Sequence, residues 1–122
     1  MFQEDWAMRQ ISFAIQFIAR LLLKADVVEY KIQDIYRQTE TDMLYSRLNT
    51  MVEEGRINEA ENLLFESLDP DDTNHLILAL DFYQRLNDKS DAELEENSFS
   101  REEIESGLND IKEQFGITGL CP

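Results

Sequence analysis

"LYSRLNTMVEEGRINEAENLLFESLDPDD", residues 44–72, sets two apolar stripes on either side of one glycine. Leu44, Leu48, Met51 and Val52 recur at helical spacing, and Ile57, Ala60, Leu63, Leu64 and Leu68 resume the pattern beyond Gly55 and Arg56. That is the signature of one face of a 3.6-residue helix, not the strict alternation of a strand. The spacing predicts a helix over about 41–54, a turn, and a second helix ended by Asp69 and Pro70. A turn this short brings the two helices together antiparallel.

Downstream, the acidic turn "DPDDTN" leads into "HLILALDFYQRL", residues 75–86, which is apolar nearly all round and so predicts a central helix. "NDKSDAELEENSF", residues 87–99, reads as a long loop with one helical turn from Ser90 to Glu95. The last helix is announced by its ends. Ser100 and Glu103 form a capping box, Phe99 and Ile104 a hydrophobic staple, and Gly116 with Ile117 a C-terminal cap. Ile104, Leu108, Ile111 and Phe115 make its inward stripe. Gly107 lies inside that stripe and costs about 1 kcal/mol relative to alanine, so it marks either a close approach by a neighbouring helix or simple tolerance.

Upstream lies "ISFAIQFIARLLL", residues 11–23, the most hydrophobic part of the chain. Arg9, Ser12, Gln16, Arg20 and Lys24 form one narrow polar stripe along it, and the remaining arc is wider than the roughly 100° of an ordinary surface helix. Glu4 and Asp5 stand where an export signal needs positive charge, and no small-residue cleavage site follows. Thirteen residues interrupted by Gln16 and Arg20 also fall short of the roughly 20 that span a bilayer. The expectation is a helix with one side on the 44–72 hairpin and the other against a second copy, through Trp6, Ile11, Phe13, Phe17 and Leu21. Beyond it two readings stand. Asp26 and Glu29 offer a capping box for a second helix over about 27–38 with Val28, Ile32, Ile35 and Tyr36 inward. Alternatively, a heptad seam through Ile11, Ala14, Ile18, Leu21, Ala25, Val28, Ile32 and Ile35 makes one long helix.

At 122 residues and 43% hydrophobic the chain is expected to be a single helical domain, 1–122, and four glycines with two prolines leave little punctuation for a many-stranded protein. Residues 1–40 hold five basic and six acidic side chains, residues 41–122 six and twenty, within a net charge of −15. Such a surface repels phosphate backbones and anionic lipid headgroups, which makes nucleic acid an unexpected partner and a membrane an unlikely one. Cys121, near the end of the sequence, fits a reducing cytoplasm. No metal is expected: one histidine, His75, three residues after Asp72, is a single acid–histidine pair where a dimetal bundle needs two, and the acidic turns do not follow the calcium-loop pattern. The pairs Glu53–Glu54, Glu95–Glu96 and Glu102–Glu103 fall on polar faces or helix starts, where solvation and the helix dipole account for them. No nucleophile–base pattern, glycine-rich loop or cofactor motif occurs, so neither catalysis nor a cofactor is expected.

The 44–72 stretch resembles one tetratricopeptide (TPR) repeat. Gly55 matches the turn glycine, Ala60 the small residue of the helix contact, and Asp69–Pro70 the closing pair two residues early, while Arg47 and Leu48 depart from the pattern. The resemblance implies an all-α, TPR-like arrangement of antiparallel hairpins with an extra hydrophobic N-terminal helix. It also implies a groove face formed by Tyr45, Asn49, Val52 and Glu53. Repeats of this kind that clamp a peptide carboxylate use lysines where Tyr45 and Glu53 stand, so a basic or apolar segment suits this face better. The opening "EDWAMRQI" and the closing "EEIESGLNDIKEQFGI" also resemble a family of short bacterial proteins of unknown function. The expected role is a non-catalytic protein–protein interaction or adaptor module that forms a homodimer. The alternatives are a membrane-surface helical protein and a small metal-binding or enzymatic protein.

Overall fold

The computed structural model describes residues 2–24 and 29–116. The described residues form six α-helices and no strand: α1 (Phe2–Ile18), α2 (Glu40–Glu53), α3 (Ile57–Ser67), α4 (Thr73–Asn87), α5 (Asp91–Glu96) and α6 (Arg101–Gln114). The chain is all-α. A wider π-helical turn, Ala19–Leu23, closes α1, with the Lys24 N–H donating to the Ala19 carbonyl and Lys24 itself left-handed at φ 54°.

Local chemistry fixes most of the ends. Thr39 caps α2 through a reciprocal box in which its hydroxyl accepts the Asp42 N–H and the Asp42 carboxylate accepts the Thr39 N–H. Gly55 turns the chain into α3 at φ 82°, a conformation that costs glycine little. A Cβ there would also stand 2.6 Å from the Asn97 side-chain oxygen. Ser90 and Glu93 form the same kind of box for α5, which is the expected single turn. Ser100 accepts the Glu103 N–H at the start of α6, with Phe99 and Ile104 buried on either side of the cap. Gly116 takes φ 79° after α6, while Ile117 lies outside the described residues.

α4 is the central helix. Nine of its fifteen residues are buried, and it packs against α1, α2 and α6. Gly107 permits the last of these contacts: a Cβ at that position would fall 2.1 Å from the Tyr83 hydroxyl oxygen and 2.4 Å from the ring carbon bearing it. Of the two readings of Gly107, close approach is the one the geometry supports.

Two expectations about the N-terminal part are overturned. First, α1 packs mainly on α4 and α6 rather than on the α2–α3 hairpin. Ile11, Ile15, Ile18 and Ala19 are the side it buries. Asn87 fastens it there, its Nδ2 donating to the Met8 carbonyl at 2.8 Å and to the Ser12 hydroxyl at 3.1 Å. Ser12 is therefore a polar contact of the interior and not part of a solvent stripe. Second, residues 29–38 carry no helix, and α1 with its π turn stops at Leu23, so neither a helix over 27–38 nor one long helix forms there. Ile35 and Tyr36, expected inward, are 67% and 90% exposed, and Ile32 is half-buried. Asp26 and Val28 lie outside the described residues. The cause lies in long-range bonds. The Tyr30 N–H donates to Asp81 Oδ2 on α4 and its hydroxyl to Asp42 Oδ1 on α2, both at 2.6 Å, while the Asp34 carboxylate accepts the Tyr36 N–H in a local turn. Residues 29–38 thus run as a strap across α2 and α4.

Candidate functional site

With Ile11, Ile15 and Ile18 turned inward, the helical repeat carries the other large side chains of α1 outward. Trp6 is 64% exposed, Phe13 60%, Phe17 48% and Leu21 41%. These spacings of seven, four and four return to one face of a helix; Phe13, Phe17 and Leu21 form a contiguous apolar line there, with Trp6 on the same face beyond the exposed Arg9 and Gln10. Isolated exposed apolar residues are ordinary; a contiguous line of this kind is the usual mark of a contact surface. Phe13, Gln16, Phe17, Arg20 and Leu21 enclose a shallow hollow of about 340 Å³. Ile11, expected in the same group, is 1% exposed and belongs to the core, so it is withdrawn from the surface set.

At the other end of α1, Trp6 and Ala7 form one wall of a groove of about 750 Å³ whose other walls come from α5, Phe99 and the start of α6. Asp91, Glu95, Glu102 and Glu105 line it, with Leu94 and Phe99 among its apolar walls. Arg101 at its edge is buried and braces the site: Nε donates to Asp91, Nη1 to the backbone and side-chain oxygens of Asn87, and Nη2 to the Lys89 carbonyl. Asn87 therefore joins α1 to the α5–α6 start through one side chain.

The second expected surface lies between α2 and α4. Asn49, Val52 and Glu53 line a cleft of about 340 Å³ together with Phe82, Arg85, Asp88 and Lys89. Tyr45 does not line it. Its hydroxyl accepts from Arg85 Nη2 at 2.6 Å, its ring lies 4.8 Å from that of Tyr30, and the Arg85 guanidinium sits 5.4 Å from its centroid. Arg85 in turn donates to the buried Asp81 that holds the strap. Tyr45 is thereby part of the fastening of residues 29–38. Burial pushes the Tyr30 phenol up to about 12, with the Asp42 hydrogen bond adding to it. The same bond from Tyr30, with the Thr39 N–H, holds the Asp42 carboxyl below the ordinary range. Asp81, Arg85, Asn87 and Arg101 form the polar framework that the sequence reading missed; an acid four residues ahead of an arginine within an apolar helix was the available signal for the first pair.

His75 lies in the first turn of α4. Its Nδ1 accepts the Asp69 N–H at 2.9 Å, which leaves Nε2 to carry the proton, 3.6 Å from the Asp72 carboxylate. It ties the α3–α4 turn together. Among the described residues no three histidine, cysteine or acidic side chains are placed to hold a metal ion, and no helix is long and apolar enough to cross a membrane. Comparison with known sequences finds one family model, described as a family of unknown function (DUF6483), over residues 1–116. No curated protein and no solved structure matches the chain.

Proposed function

The chain belongs to this family of unknown function, and we propose that it is a non-catalytic protein–protein interaction module, TPR-like in its α2–α3 hairpin, that self-associates through the outer face of α1. One observation carries the reading: Trp6, Phe13, Phe17 and Leu21 stay exposed along α1 and its π turn while the opposite side is built into the core. Fully covering a side chain of this size is worth about 1.5–3 kcal/mol. A net charge of −15 opposes approach both to anionic headgroups and to a second copy, so pairing needs local charges on this face that offset it. The cleft with Asn49, Val52 and Glu53 is a secondary face for a basic or apolar segment, in a cytoplasmic setting.

Light scattering on the eluting protein tests the reading. The wild type is expected to be a dimer at micromolar concentration, and Phe13→Glu with Phe17→Glu is expected to give a monomer with an unchanged helical spectrum. A wild type that stays monomeric, or a double variant that stays dimeric, would sink the proposal.

A further inference from the structure

The outer face of α1 is lopsided in charge as well as apolar. From residue 9 to residue 24 the helix and its π turn contain Arg9, Arg20 and Lys24 and no acid. Beside its N-terminal half stand Glu95, Glu102 and Glu105 around Trp6, all exposed. One end of this face thus offers a protruding indole with these carboxylates around it and Arg9 three residues on, and the other an apolar hollow with Arg20 in its wall and Lys24 four residues further along the chain. Trp6 and Phe17 are eleven residues apart, about 16 Å along the helix.

We infer that two copies pair by a two-fold axis crossing α1 near its middle, antiparallel, so that each indole enters the other copy's hollow. The inference rests on self-association through α1 and specifies its geometry. A two-fold interface must be complementary to itself, each contact occurring twice. With the axis near residue 12, Trp6 of one protomer meets Phe13, Phe17 and Leu21 of its partner, and the carboxylates around it meet Arg20 and Lys24 of the partner. A parallel pairing would instead set acid against acid and base against base, along a molecule that already repels its copy. The antiparallel pairing is the one that turns the local charge pattern into attraction at both ends.

Charge reversal with mixing tests the arrangement. Glu102→Lys with Glu105→Lys makes both ends basic; Arg20→Glu with Lys24→Glu makes both ends acidic. Each variant, shown by circular dichroism to be folded, is expected to dimerise at least about tenfold more weakly than wild type. An equimolar mixture is expected to form the heterodimer with affinity near that of wild type, because each reversed end then meets its opposite. Trp6, the one tryptophan of the sequence, supplies a reading on the unaltered protein: its emission is expected to move to shorter wavelength with concentration as the dimer forms. A wild-type dimer indifferent to both reversals, a mixture of folded variants that fails to recover, or an emission maximum that does not move on dimerisation would overturn the antiparallel arrangement and leave self-association standing. A wild type that is monomeric throughout overturns both, and binding of that monomer to phosphatidylcholine vesicles would assign the face to lipid.

Discussion

Asn87 and Tyr30 show how much of the assembly rests on single polar groups. The Asn87 side chain gives two hydrogen bonds to α1 and receives one from Arg101, all at a position 1% exposed. Asn87→Ala deletes these and takes one acceptor from the buried Arg101 guanidinium, whose Nη1 keeps its bond to the residue 87 carbonyl. The expected cost is about 2–3 kcal/mol, seen as a lower urea midpoint at unchanged slope. A loss under about 0.5 kcal/mol would show that solvent replaces the bonds and that the hub is not structural. Tyr30→Phe has a pH signature. The Tyr30 hydroxyl lowers the Asp42 carboxyl, so this pair contributes stability that is present above the carboxyl's unfolded value and is lost as pH falls through its folded value. Removing the hydroxyl should therefore lower the melting temperature at neutral pH and flatten its fall in the acid range below about pH 4. An unchanged acid limb would separate Asp42 from the fastening of the strap.

At the scale of elements, the helices with punctuated ends were legible and the strap was not. Gly55, Ser90 and Ser100 each act within a few residues of chain, so a local pattern suffices to place the turn after α2 and the starts of α5 and α6; the Thr39 box of α2, equally local, comes from the structure. Residues 29–38 carried an equally good local pattern, Ile32 and Ile35 at helical spacing behind an acidic cap. It lost to bonds from Tyr30 to groups twelve and fifty-one residues away, which no periodicity records. The candidate surface was half legible for a related reason. A helix apolar over most of its circumference does not record which arc enters the core; Phe13 and Phe17 landed outside it and Ile11 inside. Gly107 was legible as an irregularity, and Tyr83 supplies its meaning. Gly107→Ala drives a methyl into the Tyr83 ring and should cost about 2 kcal/mol or more despite the better helix propensity of alanine. In a Tyr83→Leu background the same substitution should cost clearly less, and a double-mutant cycle on thermal melts reads the difference. Additive effects would mean that the crowding at this crossing is relieved by a shift of α6.

Across the whole molecule, one apolar cluster draws on every helix, from Ile11 in α1 to Ile111 in α6, with Tyr30 as the strap's contribution. Charge is kept out of it except where it is bonded: Asp42, Asp81 and Arg101 are the buried ionisable groups among the described residues other than tyrosine, and each has a named partner. The excess of acid therefore sits outside, where it sets which surfaces can meet. The strap has a different consequence. Lys31 and Arg37 are exposed on the longer stretch, 29–38, that belongs to no helix, whereas Lys24 closes the π turn, Arg56 and Lys89 lie in three-residue turns between helices, and Arg47, Arg85, Arg101 and Lys112 are on helices whose cleavage would require local opening. Brief trypsin treatment is thus expected to nick the strap first, and the product should be a two-piece protein that elutes as one particle. The piece ending at Lys31 would still carry α1, the Ser12 and Met8 acceptors for Asn87, and Tyr30 with its grip on Asp81 and Asp42. If the two pieces part at native pH, covalent continuity and not packing is what keeps the first helix in place. If they stay together, the molecule is a natural candidate for reconstitution from separately made halves.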